Sequence, residues 1–496
     1  MSLNNIEETF QRLSKLGHLS SIVGWDEAVN MSKDGGEKRA QAMAELMVIK
    51  SELINDPKLA ESFQSIDEAS LSLEQRSHFQ EMKRSWQAAT VLSSDFIKKS
   101  SLAKSKCHNA WRELRAENNW DKFKPYLEEV VNFTREEAKL RSEATGLSPY
   151  DSLLDLYEPS GRSEDISKVF AGVKSFLPDL IKEVVEKQKS EKVIYPKGPF
   201  STESQKQLGL DVMKILNFNF DRGRLDVSHH PFCGGVPTDI RMTTRYSEDD
   251  FTESLMGVIH ETGHACYEQN LPHDQWGDFP VGTARSMGIH ESQSLLFEMQ
   301  IGRGQSFLKK IAPLMKKYFS NEQTDEKFFE QKNLELFYTR VKPDYIRVNA
   351  DEVTYPAHVI LRYEIEKDLL EGKVEVKDLP ELWDVKMQEY LGLSTKDNFK
   401  DGVMQDVHWP SGAIGYFPTY TLGAMNAAQI KAKMNEEISG LEDSIEQGDF
   451  SKIHHWLGEK IWSKGSQLSI NDLMVHATGE SLNPKYFEDH LRKRYL

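Results

Sequence analysis

The stretch DFTESLMGVIHETGHACYEQN, Asp250 to Asn270, decides how the whole chain is read. Phe251, Leu255, Met256, Val258 and Ile259 are apolar with polar residues between them, the pattern of a buried helix. Inside it His260 and His264 stand four residues apart, and Glu261 directly follows the first. A four-residue step advances a helix by about 400°, so both imidazoles share one face, one turn apart, and can reach one metal ion. Glu261, about 100° further round, can touch a water bound to that ion. This is the His-Glu-x-x-His arrangement of zinc peptidases: two neutral imidazole ligands and a carboxylate that takes the water's proton. A buried helix carrying these polar groups needs partners for them, and a metal supplies them.

Outward from this helix, the composition narrows the class. The 496 residues can bury a large core, and the net charge of −16 comes from acidic residues spread along the chain. That points away from nucleic acid and anionic membranes as partners. Cys107, Cys233 and Cys266 are an odd number at wide spacing, so no disulfide framework is expected. Cys266 lies roughly 200° round the helix from His264, on the wrong side for a ligand. The first residues, MSLNNIEETFQRL, lack the charged and apolar regions of a signal peptide, and no apolar run approaches membrane-spanning length. The expected location is cytoplasmic.

From the start to about Glu191 the pattern is helical. EKRAQAMAELMVIKSEL, SLEQRSHFQEMKRSWQAAT and DKFKPYLEEVVNFTREEAKLRSEA place apolar residues three and four apart, with charged residues between. Turn compositions break the run at Lys33–Gly36, Asn55–Pro57 and Gly146–Asp151. Ser163 or Asp165 is expected to cap the long segment that follows. The one stretch that reads as strand is Leu225 to Tyr246, LDVSHHPFCGGVPTDIRMTTRY, a short hairpin or small sheet centred on Gly234 and Gly235. After Asn270 a loop leads into helical pattern that continues to the end. The chain is therefore expected to be mostly α, with one small β element beside the active centre.

A catalytic zinc site needs a third protein ligand and an open position for water. The metzincin pattern requires Gly three residues and His six residues after His264, where Tyr267 and Asn270 stand, so that class is excluded. The remaining route is a Glu on the following helix: RSMGIHESQSLLFEMQ offers Glu291, with Glu298 two turns on. Polar residues in otherwise apolar surroundings are Asp239 and Arg241, Arg347 and Asp351, and Gln405, Asp406 and His408. A peptidase that recognises a free C-terminus needs a buried guanidinium for its carboxylate. It also needs an oxyanion donor, and carboxylates that orient the ligand imidazoles. One turn after Glu291 stands Leu295, so the orienting carboxylate is expected elsewhere, from Asp351, Asp239 or Glu268.

Seven ordered motifs give the chain a family resemblance. They are His230-Pro231-Phe232, DIRMT (Asp239–Thr243), HETGH, HESQ (His290–Gln293), IRVNAD (Ile346–Asp351), GVMQDVHW (Gly402–Trp409) and GYFPTYTLG (Gly415–Gly423). With Trp25-Asp26 and YDSLLDLYEP (Tyr150–Pro159) the likeness spans nearly the whole length. The chain resembles metallocarboxypeptidases of the thermostable carboxypeptidase Taq family, peptidase family M32. The resemblance implies a large, helical, saddle-shaped gluzincin-type subunit with a deep groove. It implies one peptidase unit over 1–496, with roughly 1–200 a helical lobe flanking the groove and 201–496 the catalytic region. It further implies a homodimer that releases single residues from peptides with a free C-terminus. One divalent ion per subunit is expected, Zn2+ with Co2+ as the alternative, held by His260, His264 and Glu291, with Glu261 as general base. Arg347 is the candidate carboxylate clamp, and Tyr420 and His408 are candidates for substrate or oxyanion contacts. Arg241 and His230 are grouped with them as substrate contacts, and Asp239 and Asp351 as supports of the ligand imidazoles. One departure stands out: after HESQS the family usually has Arg-Leu-Trp-Glu-Asn, whereas Leu295 to Met299 read LLFEM here. Two other readings compete, a helical gluzincin oligopeptidase or dipeptidyl carboxypeptidase, and a non-catalytic peptide-binding scaffold.

Overall fold

Apolar residues at three- and four-residue spacing make helix the dominant element, and the computed structural model describes this for residues 3–229, 231–321 and 323–496. An antiparallel pair, Asn4–Val29 and Gly36–Ile54, opens the chain. The second of these helices buries no residue fully. Long helices follow at Leu73–Thr90, Ser94–Ala116, Trp120–Thr145 and Ser163–Gln188, broken at the turn compositions named above. Ser163 is the first residue of its helix rather than its cap: its amide is taken by the Asp151 carboxylate at 2.7 Å, so a neighbouring segment does the capping. Among the described residues no helix is long and apolar enough to cross a membrane.

The core is divided in a way the sequence does not suggest. One cluster unites Phe123, Val130, Phe170 and Val173 with Tyr363, Trp383, Phe417 and Leu491, residues from both ends of the chain. Position 200 is therefore not a boundary between cores, as suits a single unit over 1–496. The physical reason is that helix Ser163–Gln188 buries its apolar face against helices Leu379–Leu391 and Pro484–Tyr495. A second large cluster holds Val212, Ile240, Val258, Ile259, Phe297, Ile311, Met434 and Trp462. Helix Pro418–Glu437 serves both, with Leu422 and Met425 facing one and Ile430 and Met434 the other.

The sheet has three strands, β1 (Gly223–Val227), β2 (Cys233–Val236) and β3 (Asp239–Thr244), in the order β1-β3-β2. β2 and β3 form the expected hairpin, with Gly234 opposite Arg241. β1 adds in parallel on the other side, Leu225 opposite Met242. Ile240 and Met242 point from β3 into the core that buries Val258 and Ile259 of the motif helix, Thr252–Gln269. Two glycines then set how closely three helices approach. A Cβ on Gly263 would lie 2.5 Å from the Gln293 carbonyl oxygen, so the motif helix touches helix Met287–Leu295 backbone to backbone. A Cβ on Gly423 would lie 2.7 Å from Cγ of Glu291, so helix Pro418–Glu437 closes on the same element from the other side. Helix Met287–Leu295 is thus clamped between two glycine-bearing helices.

Candidate metal centre

The motif helix carries His260, Glu261 and His264; the clamped helix carries His290 and Glu291. Its start is built with care. Ser286 caps it through the Ile289 amide at 3.0 Å, and the buried Glu158 carboxylate accepts from the Gly288 amide at 3.0 Å and the Ser286 hydroxyl at 3.2 Å. A carboxylate at a helix N-terminus satisfies otherwise orphaned amides. Glu158 lies in the YDSLLDLYEP motif, which gives that stretch a structural task.

Glu291 Oε2 lies 3.8 Å from His260 Nε2 and 3.5 Å from His264 Nε2. The three donor atoms all fall within 4.8 Å of one another. Four-coordinate zinc with bonds of about 2.0–2.1 Å holds its donors roughly 3.4 Å apart, so this set fits one ion with little adjustment. The other ring nitrogens support that fit. His260 Nδ1 donates to Glu298 Oε2 at 2.9 Å, and His264 Nδ1 donates to the His290 carbonyl at 3.1 Å. With Nδ1 of each ring engaged by an acceptor, Nε2 is the nitrogen turned toward Glu291 and the one that would bind an ion in place of its proton. Arg303 donates to the second oxygen of Glu298 at 2.7 Å, and Glu268 holds His290 Nε2 at 2.8 Å. The His290 ring lies stacked against His264, 4.4 Å between centroids.

The charges are tightly coupled. Burial pushes Glu261 up to about 7, with the positive charge of His260 pulling the other way. Glu291 falls to about 2, because the His264 hydrogen bond and the His260 charge overcome its burial. Burial, joined by the charge of His290, drives His264 down to about 3. His260 rises to about 10 despite burial, held there by Glu298 and Glu291. A carboxylate titrating near neutrality beside the donor set is suited to accept a proton from water.

The supporting carboxylate is the first correction to the sequence reading. Neither Asp239 nor Asp351 contacts His260 or His264, whereas Glu298 holds His260 Nδ1. Residues Leu296–Gly302 form a π-helical turn, and Glu298 within it, two turns after Glu291, has a carboxylate oxygen 2.9 Å from His260 Nδ1. Asp239 instead grips Arg241 through two bonds of 3.0 Å. Asp351 caps a turn, accepting from the amides of Lys342, Val353 and Thr354 and from the Thr354 hydroxyl. Arg241 is redirected as well. Its guanidinium lies 4.2 Å from the Trp25 ring centroid, tying the first helix to the sheet edge. It is a tether in this structure, not a contact of the cleft. His230, the remaining substrate candidate, lies outside the described residues; Phe232 and Cys233 after it line the cleft.

That cleft, about 180 Å³, is bounded by Glu261, His264, Glu291, Met287, Tyr416 and Tyr420. Tyr420 is thus placed at the donor set, and His408 stands behind it, Nε2 3.3 Å from the Tyr420 hydroxyl. Burial lowers His408 to about 4, so it is neutral. Behind both lies a guanidinium pair. Arg347 Nε and Nη2 reach Asp406 at 3.0 and 2.9 Å, and its Nη1 donates to the Tyr355 hydroxyl at 2.7 Å. Arg362 takes the other oxygen of Asp406 at 2.7 Å. Despite its burial Asp406 is held far below the usual carboxylate range by the two cations. Two guanidiniums against one carboxylate leave one positive charge uncompensated beside the cleft. Met287 and Tyr355 carry no motif signal that would have singled them out, whereas Tyr416 stands in the GYFPTYTLG motif beside the candidate Tyr420; Glu298 had the signal of lying two turns after Glu291.

Comparisons with known proteins show what the whole chain resembles. A family model described as carboxypeptidase Taq (M32) metallopeptidase matches residues 5–495. Carboxypeptidase 1 of Bacillus subtilis is 36% identical over 498 residues, 99% of this chain and 97% of the relative. Thermostable carboxypeptidase 1 of Thermus thermophilus is 34% identical over 506 residues, 99% of this chain and 98% of its own. Among solved structures, Trypanosoma cruzi metallocarboxypeptidase 1 superposes with a TM-score of 0.96 at 42% identity, covering 100% of both chains. The Pyrococcus furiosus carboxypeptidase structure, described as Apo-Mg, gives a TM-score of 0.94 at 32% identity, covering 100% of this chain and 99% of that one.

Proposed function

This chain belongs to the carboxypeptidase Taq (M32) metallopeptidase family, a hydrolase family that acts on C-terminal residues with a divalent metal, and from that premise we propose that it releases single residues from peptides with a free C-terminus. We assign His260, His264 and Glu291 as the ligands of one ion, Zn2+ with Co2+ as a functional substitute. Glu261 is assigned as general base. The observation that carries this reading is the convergence of three donors whose imidazoles are each anchored at Nδ1, beside a carboxyl held near 7.

When bound, the divalent ion supplies Lewis acidity, lowering the pKa of water and polarising the scissile carbonyl. Glu298 and the His290 carbonyl keep both ligand imidazoles in the tautomer that offers Nε2. Glu261 takes the proton of the attacking water and returns it to the leaving amine. Tyr420, backed by His408, donates to the developing oxyanion. The Arg347–Asp406–Arg362 cluster attracts the substrate's terminal carboxylate. Two nitrogens of Arg347 are committed to Asp406, so the Nη1 now bonded to Tyr355 is the one assigned to that carboxylate.

The proposal extends to a homodimer, to be tested by light scattering, and to a cytoplasmic location, with which three unpaired cysteines agree. Digesting one peptide with a free and with an amidated C-terminus tests the activity itself. Stepwise loss of single residues from the free form, with the amide untouched, is expected. Cleavage of the amidated peptide would favour an internal cutter, and release of residue pairs a dipeptidyl carboxypeptidase.

A further inference from the structure

Glu298 lies within the π-helical turn Leu296–Gly302, and a wide turn of this kind needs something to hold its register. The last carbonyls of a helical segment have no partner within it. Here those of Met299 and Gln300 are filled from far away in sequence. Arg494, two residues before the end of the chain, donates to Met299 O through Nη1 and to Gln300 O through Nη2 at 3.0 Å. Its Nη1 also reaches Glu352 at 3.1 Å. Glu352 is almost wholly buried and accepts in addition from His490 at 2.7 Å, from the Tyr495 hydroxyl at 2.9 Å and from the Gln300 side-chain amide at 3.4 Å. Arg303, the first residue past the turn, carries the connection forward to Glu298, and Glu298 to His260.

We infer that Arg494, seated on Glu352, is a positioning residue for the metal centre: it caps the π-helical turn from the C-terminal helix and so fixes Glu298 against His260. Arg494 touches neither substrate nor ligand, so its effect passes entirely through the backbone of the turn. Glu352 directly follows the IRVNAD motif, whose link to the imidazoles then runs through the chain's last helix rather than through Asp351. The network also borders an open cavity of about 950 Å³, so truncating Arg494 admits water rather than leaving a dry void in the core.

The inference rests on the reading of His260, His264 and Glu291 as ligands, and the test separates the two. Co2+ affinity is measured by chelator competition on full-length wild type, Arg494→Ala, Arg494→Lys and Tyr495→Phe, together with the visible spectrum of the Co2+ form and the thermal midpoint of the metal-free chain. Arg492→Ala, which removes an exposed pairing with Glu488, is the control. Carboxylates that orient ligand histidines govern metal affinity by about 10- to 100-fold. The expected result for Arg494→Ala is therefore about a tenfold weaker Kd with an altered Co2+ spectrum. Arg494→Lys should recover part of the loss, and Arg492→Ala should match wild type. An Arg494→Ala protein with wild-type Kd and spectrum overturns the inference, even if its thermal midpoint has dropped. Should Arg494→Ala fail to fold, Tyr495→Phe decides: a Kd weakened about two- to threefold supports the clamp, and an unchanged Kd overturns it. Wild-type protein that takes up no Co2+ would overturn the ligand assignment, and this inference with it.

Discussion

The cleft has an acidic wall and, in the layer behind Tyr420 and His408, a basic one, and the two are built on opposite electrostatic plans. On one side Glu261, Glu268, Glu291 and Glu298 surround His260, His264 and His290. On the other, Arg347 and Arg362 share the single carboxylate of Asp406. The first wall has more buried acid than base and is completed by a cation; the second has more base than acid and is completed by a carboxylate. A peptide's C-terminal residue carries both features in one short unit, a carbonyl to be polarised and a terminal carboxylate to be held. The difference between the walls therefore reads as a template for the end of a peptide.

The comparison can be broken most severely at the acidic wall. Replacing Glu261 by Gln keeps its size and removes its proton acceptor. Turnover should fall by at least about 10³-fold while bound metal, measured by atomic emission, stays near one per chain. At the basic wall, Arg347→Met should cut kcat/KM for free C-termini by about 10²-fold, largely through KM, because the carboxylate loses its nearest cation. Glu298→Gln leaves His260, His264, Glu291 and the Arg347 cluster in place but weakens the hold on His260 Nδ1 and on Arg303, so a 10- to 100-fold loss of metal affinity by chelator competition is expected.

The smallest change per step concerns pH and a carboxyl behind the basic wall. Glu366 is fully buried, accepts from Trp409, Gly415 and Tyr150, and is pushed by burial up to about 8. A carboxyl whose folded pKa is raised binds its proton more tightly folded than unfolded. Its stabilising contribution is complete below about 4.5 and declines as pH rises through about 8. One such group changes stability by at most about 1.4 kcal/mol per pH unit. Denaturant titrations from pH 5 to 8.5 should show this slope flattened in Glu366→Gln; an unchanged slope would mean that Glu366 is ionised throughout.

Much of this was legible in the chain. The four-residue step between His260 and His264 holds on any helix, and the apolar residues before it bury that helix, so donor geometry follows from spacing alone. Glu291 needed only a helix that returns, and Gly263 and Gly423 supply the close approach. The orienting carboxylate was in view but is passed over by a one-turn rule: Glu298 stands seven residues after Glu291, on the same helix face, while the place one turn after Glu291 holds Leu295 and directs the reading elsewhere. Asp239 and Asp351 misled for the complementary reason. A polar residue in an apolar stretch looks the same in sequence whether it orients a ligand, caps a turn or pairs with a neighbouring arginine. The shared core was not legible either, because cores form in space: helix Ser163–Gln188 and the chain's last helix, far apart in sequence, bury one surface together.

The central claim is that His260, His264 and Glu291 jointly hold one ion. Anomalous diffraction at the zinc edge from crystals soaked in Zn2+ tests it most directly. The account predicts one strong peak per chain within about 2.0–2.2 Å of both Nε2 atoms and of a Glu291 carboxylate oxygen. A peak elsewhere, or a Glu291 side chain turned away from two metal-free imidazoles, would contradict it.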